Sequence, residues 1–177
     1  MFAKFKKFLD SSLEVLVGVS MVVLVLDVVW QVFTRFILKN PSSWTEELAT
    51  FLMIWVGLLG ASVALNRGAH LGIDYFTLKL SPQKRLYTEL FVFFCVAVFS
   101  LLVLVIGGID LVRITLQNNQ ISPALGLKMG HVYLALPISG FFLVLYSAEF
   151  FIERVVALIK GRQIQQRRDF ESTAAMD

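Results

Sequence analysis

Apolar residues in this 177-residue chain run in four long blocks, and the charged residues stand almost entirely between the blocks. The first block, twenty residues that follow Glu14, has Asp27 as its only charge. The other three blocks, residues 48–66, 90–109 and 129–148, contain no charge at all. A helix that rises about 1.5 Å per residue needs about 20 residues to cross the hydrocarbon core of a bilayer. The pattern therefore predicts an all-α membrane protein with four transmembrane helices.

We expect one membrane domain over residues 1–177, with a cytoplasmic tail at 160–177. The expected spans lie at about residues 13–37, 45–66, 84–111 and 129–159. No connection between them is long enough for a soluble domain. Composition agrees, because 57% of the residues are hydrophobic and 16% are charged, whereas soluble domains carry about 25% charged residues. The first block is longer than the apolar region of a secretory signal, so we interpret it as an uncleaved anchor.

Lys and Arg are distributed unequally over the two sides of the membrane that four spans would define. Twelve of the 16 lie in the N-terminal segment, the 67–89 loop and the C-terminal segment, and the two alternate loops hold two each. The positive-inside rule therefore predicts that both termini are cytoplasmic. The net charge of +3 then reflects topology and does not indicate nucleic-acid binding.

Three local features are predicted around the spans. Ser43 and Glu46 have the spacing of a capping box at the start of the second helix. Pro137 and Gly140 predict a kink in the fourth span. Residues 74–80 are rich in aromatic and aliphatic side chains, which is typical of a short interfacial helical segment.

Asp27 belongs to a polar seam on the first helix. Asp27, Gln31, Thr34 and Arg35 follow one another at spacings that place them on one helix face. Ionisable residues inside a membrane face protein or a cavity. Two interpretations are open: a proton or ion site, and a seam that holds a neighbouring helix or a partner subunit. The seam is favoured, because no other charge lies in mid-membrane and a transporter acting alone needs more polar lining.

The second helix carries two further candidate features. Gly57, Gly60 and Ala61 share one face, and such small residues allow close helix approach in lipid. A tight contact within the chain and a subunit interface are both compatible with them. Trp44 and the acidic pair Glu46 and Glu47 stand at the start of this helix, where acids meet the positive end of the helix dipole. One of the two glutamates would be free to receive a basic residue of a partner.

The sequence does not indicate a catalytic site. His70 and His131 are expected on opposite sides of the membrane, so they cannot jointly bind a haem or a metal. The sequence contains no phosphate loop, nucleophile elbow or zinc spacing. We therefore predict no enzyme, no cofactor and no metal site.

These motifs, in this order, resemble the small membrane subunit, DctQ type, of tripartite ATP-independent periplasmic (TRAP) transporters. The resemblance covers roughly residues 12–150. Its most specific part is a Trp-x-Glu-Glu element followed, after the second span, by an Arg-x-x-His-x-x-x-Asp element. Asp27 is not part of the pattern. The matching segments are residues 31–35, 44–49, 55–61, 67–74, 122–126 and 133–137.

The resemblance implies a non-catalytic subunit in the bacterial inner membrane. A large, elevator-type membrane subunit would hold the substrate and sodium sites, and the small subunit would brace it. A periplasmic solute-binding protein would deliver an organic acid, such as sialic acid or a C4-dicarboxylate. No cofactor is implied for this chain, and structural phospholipid would fill gaps between the subunits.

Roles for individual residues follow from the resemblance and from the clustering of polar groups at span ends. We expect the subunit interface at Gln31, Arg35, Trp44, Glu46, Glu47, Gly57, Gly60 and Ala61. Arg67, His70 and Asp74 would order the cytoplasmic turn. The outer residues Lys39, Asn40, Asn119 and Lys128 would make weak polar contacts with the binding protein. The role of Asp27 stays open.

The main alternative is a self-sufficient small proton-coupled multidrug exporter that uses Asp27 as its titrating group. A third interpretation, an anchor for a respiratory complex, would require haem ligation and is disfavoured by the placement of the two histidines.

Overall fold

The computed structural model describes residues 2–40, 42–68 and 82–160 of the chain. The chain is helical without a break from Pro82 to Gln117. An α-helical stretch, a π-helical stretch and a second α-helical stretch follow one another there and together form the third long helix. The helices are α1 (Phe2–Phe36), α2 (Ser43–Asn66), α3 (Pro82–Phe99), a π-helical segment (Ser100–Gly107), α4 (Gly108–Gln117), α5 (Met129–Tyr133) and α6 (Ala135–Lys160).

Within the described residues, four helical spans are long and apolar enough to cross a membrane, which confirms the predicted fold class. They are Phe8–Phe36, Ser43–Asn66, Lys84–Gln117 and Met129–Leu158. The third helix continues to Gln117, and the bounds of the spans within the membrane stay a prediction. The placement of both termini in the cytoplasm stays a prediction. The expected interfacial segment at 74–80 and most of the tail lie outside the described residues.

The spans form a row rather than a closed bundle. The first span packs on the second, the second on the fourth, and the fourth on the third. We call the side where α1 begins and α6 ends the amino-terminal face, and the side where α1 ends and α2 begins the opposite face. The first and third spans therefore occupy the two edges of the row.

The core draws buried residues from all four spans. Its buried residues are Leu13, Leu59, Leu65, Leu104, Leu143 and Tyr146. A hydrogen bond also joins the second and fourth spans, because Ser62 Oγ donates to the carbonyl oxygen of Ser139 at 3.2 Å. Both serines are fully buried. Packing and interhelical hydrogen bonds of this kind hold helices together in lipid, where no hydrophobic force acts between them.

Glycines bring the third and fourth spans close together. A Cβ atom at Gly140 would lie 2.7 Å from Leu104 Cβ, and one at Gly108 would lie 3.0 Å from Leu136 Cβ. A Cβ at Gly130 would lie 2.4 Å from Leu116 Cγ. Small residues permit such backbone approach in membranes. The close glycine contacts are therefore between these two spans.

One local prediction is wrong, and another coincides with a break between two helices. The capping box is wrong: α2 begins at Ser43 with the extended residue Ser42 as its N-cap, and Ser42 Oγ pairs with Thr45 Oγ1 at 2.6 Å. The fourth span is interrupted at Leu134, between α5 and α6, three residues before Pro137. A proline has no N–H to donate to the carbonyl oxygen four residues earlier, so this break agrees with the predicted kink. Pro137 itself lies in the first turn of α6. A proline is tolerated there because the first N–H groups of a helix have no intrahelical acceptor.

Candidate functional site

An open groove lies between the last part of α1 and the start of α2, and its volume is about 580 Å³. Asp27 is the only ionisable residue among its lining residues. Trp30 and Phe33 contribute aromatic rings from α1, and Trp44 contributes one from α2. The remaining lining residues are aliphatic: Val23, Leu26, Val29 and Leu48.

The Asp27 side chain is buried in this groove without a hydrogen-bond donor for one of its oxygens. The residue is 6% exposed, and Oδ2 accepts no hydrogen bond. The hydroxyl of Thr34 is also buried but donates to the carbonyl oxygen of Gln31 in its own helix, at 2.9 Å. The predicted polar seam thus makes no hydrogen bond to α2 within the described residues. Gln31 is half-buried and Arg35 is exposed.

Glu47 is engaged within the chain. Its Oε2 accepts the backbone N–H groups of Ala124 at 3.1 Å and Leu125 at 2.7 Å. These two hydrogen bonds fix the loop that precedes α5 against the start of α2. The neighbouring Glu46 is exposed, and it is the member of the acidic pair that is free for a partner.

An exposed stripe runs along α2 at spacings of three and four residues. It comprises Glu46, Thr50, Met53, Gly57 and Ala61. A Cβ at Gly57 would meet no atom within 4 Å. We call these five residues the α2 stripe.

Gly60 has a different environment from Gly57. A Cβ at Gly60 would lie 4.0 Å from Val17 Cγ1 of α1. The predicted small-residue face is therefore divided, with Gly57 and Ala61 facing outward and Gly60 facing the first span.

The four loop residues expected to contact a binding protein are all exposed at the opposite face of the row: Lys39, Asn40, Asn119 and Lys128. Lys39 and Asn119 have positive φ angles of 52° and 47°, which mark tight turns after α1 and α4. An isolated antiparallel bridge joins Ile121 to Lys128. It gives the second of these loops a defined shape.

A polar cluster at the amino-terminal face was not predicted. Asp10 accepts a hydrogen bond from Tyr146 Oη at 2.6 Å, and Lys6 forms an ion pair with Glu149. These contacts tie α1 to α6. Lys6, Asp10 and Glu14 stand four residues apart on α1, and this spacing was the signal that could have indicated a polar face here.

Arg67 and Glu14 link the end of α2 to α1, with 3.0 Å between Arg67 Nη2 and Glu14 Oε1. The other residues of the predicted turn, His70 and Asp74, lie outside the described residues. The third and fourth spans are joined on the same face by Glu89, whose Oε1 lies 3.0 Å from Arg85 Nε and whose Oε2 lies 2.7 Å from Arg154 Nε.

The geometry of the described residues provides contact surfaces. Over residues 2–40, 42–68 and 82–160, no three His, Cys, Asp or Glu residues lie close enough to hold a metal ion. What the described residues offer is an aromatic groove with a buried acid and an uncovered stripe on α2.

Comparison with known proteins gives a family. The family described as "Tripartite ATP-independent periplasmic transporters, DctQ component" matches residues 21–157. The chain is 30% identical over 146 residues to the sialic acid TRAP transporter small permease protein SiaQ of Vibrio cholerae, which covers 81% of this chain and 82% of the relative. It is also 30% identical over 106 residues to the C4-dicarboxylate TRAP transporter small permease protein DctQ of the same species, covering 59% of this chain and 45% of that protein.

A larger protein contains a related segment. The sialic acid TRAP transporter permease protein SiaT of Haemophilus influenzae is 33% identical over 98 residues, which is 52% of this chain and 16% of SiaT. These matches confirm the expected resemblance, the assignment to a permease subunit rather than an enzyme, and the expectation of a large membrane partner. The chain belongs to the DctQ family, the small membrane component of tripartite ATP-independent periplasmic transporters.

Proposed function

We propose that this chain is the fixed small subunit of a sodium-coupled transporter that takes up a small organic acid from a periplasmic binding protein. Its role would be to scaffold a large, elevator-type membrane subunit. The observation that supports this most directly is the 30% identity to SiaQ across 81% of the chain. The names of the relatives indicate sialic acid and C4-dicarboxylates as the substrate classes to test first.

The row of helices supports a scaffolding role. The first span stands at one edge, and large apolar side chains along it, such as Val22 and Leu26, are 60% and 64% exposed. A surface of this kind suits lipid or another membrane protein. Asp27 is the only charge in the four apolar blocks of the sequence, which favours substrate and sodium sites in the large subunit.

We place the contact with the large subunit on the α2 stripe and on the adjacent end of α1. Arg35 and Trp44 are exposed at that end, and Gln31 borders it. Glu47 would act indirectly, because its carboxylate holds the chain's own loop. Gly60 would act by allowing α1 to lie against α2. Phospholipid would fill the remaining gaps.

The loops at the opposite face would meet the binding protein on the periplasmic side. Their exposed cationic and amide groups, at Lys39, Asn40, Asn119 and Lys128, suit weak contacts that release quickly. Arg67, with His70 and Asp74, would order the cytoplasmic turn. This arrangement requires both termini to be cytoplasmic, as the charge distribution predicts.

Reconstitution tests the proposal. The chain, the large subunit and the binding protein are purified separately, and uptake of labelled sialic acid and of a labelled C4-dicarboxylate is measured in proteoliposomes. We expect uptake only when all three are present and an inward sodium gradient is imposed. Uptake by the large subunit alone at an unchanged rate would contradict the scaffolding role.

One observation favours a second candidate function, a self-sufficient proton-coupled exporter: the buried carboxylate of Asp27. The same liposomes discriminate the two functions. Proton-linked movement of a lipophilic cation by this chain alone, lost in Asp27→Asn, would support the exporter and overturn the scaffold.

A further inference from the structure

The groove beside Asp27 has the chemistry of a cation site. Its one ionisable residue is an acid, and Trp30, Phe33 and Trp44 line it with aromatic rings. Trp30 and Phe33 are stacked, with ring centroids 5.7 Å apart. Carboxylates and aromatic faces both attract cations, and an arginine guanidinium can pair with the first while it stacks on the second.

The carboxylate has no counter-charge in the described chain. Oδ2 of Asp27 accepts no hydrogen bond, and the residue is only 6% exposed. The nearest cation along the chain, Arg35, stands eight residues further on, about 12 Å along the helix axis. A buried charge without a partner is strongly unfavourable in a membrane. Such a group is stable when a second molecule supplies the partner.

The depth of Asp27 favours a protein side chain over a lipid headgroup. Asp27 lies nine residues before Phe36, the last residue of α1, and this separation corresponds to about 13 Å along the helix. The amine of a phospholipid lies at the membrane surface, whereas a helix of a partner subunit can present a basic residue at any depth. Intramembrane basic residues characteristically pair with acids in this way.

We infer that the groove receives a basic side chain, best an arginine, from a transmembrane helix of the large subunit. This inference rests on the proposed function. It assigns Asp27 to subunit recognition, and it makes the groove the place where the first span and the partner are joined electrostatically.

The test uses the complex of the full chain with the large subunit, reconstituted in nanodiscs. Asp27→Asn keeps the size of the side chain and removes its charge, and subunit dissociation is followed by fluorescence from labels on the two chains. We expect Asp27→Asn to weaken the complex by a factor of about ten or more, because it leaves the partner's cation buried without its counter-ion. The matched control is Asp110→Asn, an exposed aspartate of the third span, which should leave dissociation within about twofold.

Cross-linking identifies the occupant. In a Cys95→Ser background, a photoactivatable probe is attached at Val29→Cys, which lines the groove, and at Leu102→Cys on the third span as control. We expect the first position to capture the large subunit at a peptide that contains arginine or lysine. Capture of the large subunit only from Leu102→Cys would overturn the inference.

Three further outcomes separate the possible failures. If the effect of Asp27→Asn disappears in nanodiscs of phosphatidylglycerol and is present only with phosphatidylethanolamine, a lipid amine occupies the groove and the inference is wrong. If the wild-type complex forms and Asp27→Asn dissociates at the wild-type rate, the inference fails while the proposed function stands. If the wild-type chain does not bind the large subunit, both fail.

Discussion

Glu47 shows how one carboxylate can set the shape of a distant loop. It accepts two backbone N–H groups that lie 77 and 78 residues further along the chain. Hydrogen bonds to a charged acceptor contribute more than neutral ones, about 1.5–3 kcal/mol each where they are well shielded. Glu47 is half-buried, so solvent reduces this contribution. The loop that carries Lys128 is thus organised by the start of α2.

Replacing Glu47 with Ala should loosen this loop, because the N–H groups of Ala124 and Leu125 lose their acceptor. We expect their amide hydrogen exchange to accelerate by about tenfold or more, which corresponds to about 1.4 kcal/mol or more of local stability. Glu46→Ala is the control, since Glu46 is exposed and does not bond to the loop. Equal exchange of the two amides in both variants would show that the loop is held by other contacts.

At the scale of helices, the third and fourth spans form the tightest contact of the row. Leu104 belongs to the π-helical segment and lies directly against Gly140 of α6. A π-helical turn is wider than an α-helical turn and is rare in proteins. The absence of a side chain at Gly140 is what allows the two backbones to approach, so this glycine is needed for packing.

Gly140→Ala should therefore destabilise the chain by about 1–3 kcal/mol, because the new Cβ would lie 2.7 Å from Leu104 Cβ and 3.1 Å from its carbonyl carbon. Unfolding of the purified chain in mixed micelles measures the effect. Gly57→Ala is the matched control: its Cβ would meet nothing within 4 Å, and its stability should stay within about 0.5 kcal/mol of the wild type. An equal loss of stability in the two variants would count against a packing role for Gly140.

The sequence was sufficient to predict the four spans but not the contacts between them. Apolar windows of about 20 residues with at most one charge define helices in lipid regardless of their neighbours, so the four spans could be predicted. The partner of Glu47 could not, because nothing local relates that residue to Leu125. The packing role of Gly140 could not be predicted for the same reason, because nothing local relates it to Leu104. The capping box failed because α2 uses Ser42 rather than Ser43.

For the whole molecule, the order of spans in the row determines which surfaces are available. The second span has the first on one side and the fourth on another, and the α2 stripe is the part that neither covers. The first span packs along α2 and meets α6 only through the polar contacts near its start. The groove is a separate surface, because the α2 residues that line it are Trp44 and Leu48 and none belongs to the α2 stripe. A partner that contacts both surfaces therefore has to reach α2 from two sides.

A bulky residue in the α2 stripe should separate the complex without unfolding the chain. We expect Gly57→Phe to reduce co-purification of the large subunit by about tenfold or more, since a new ring on a closely packed face prevents contact. Ile109→Phe on the third span, where the residue is 53% exposed, is the control and should co-purify normally. If Gly57→Phe leaves co-purification of the large subunit unchanged, the interface does not lie on the α2 stripe.

The even number of spans limits how this sequence can be joined to a carrier in a single polypeptide. Phe2 and Lys160 lie on the same face of the row, so a fused carrier that follows Lys160 has to start from that face. A carrier whose first helix starts on the other side would need one additional crossing helix as a connector.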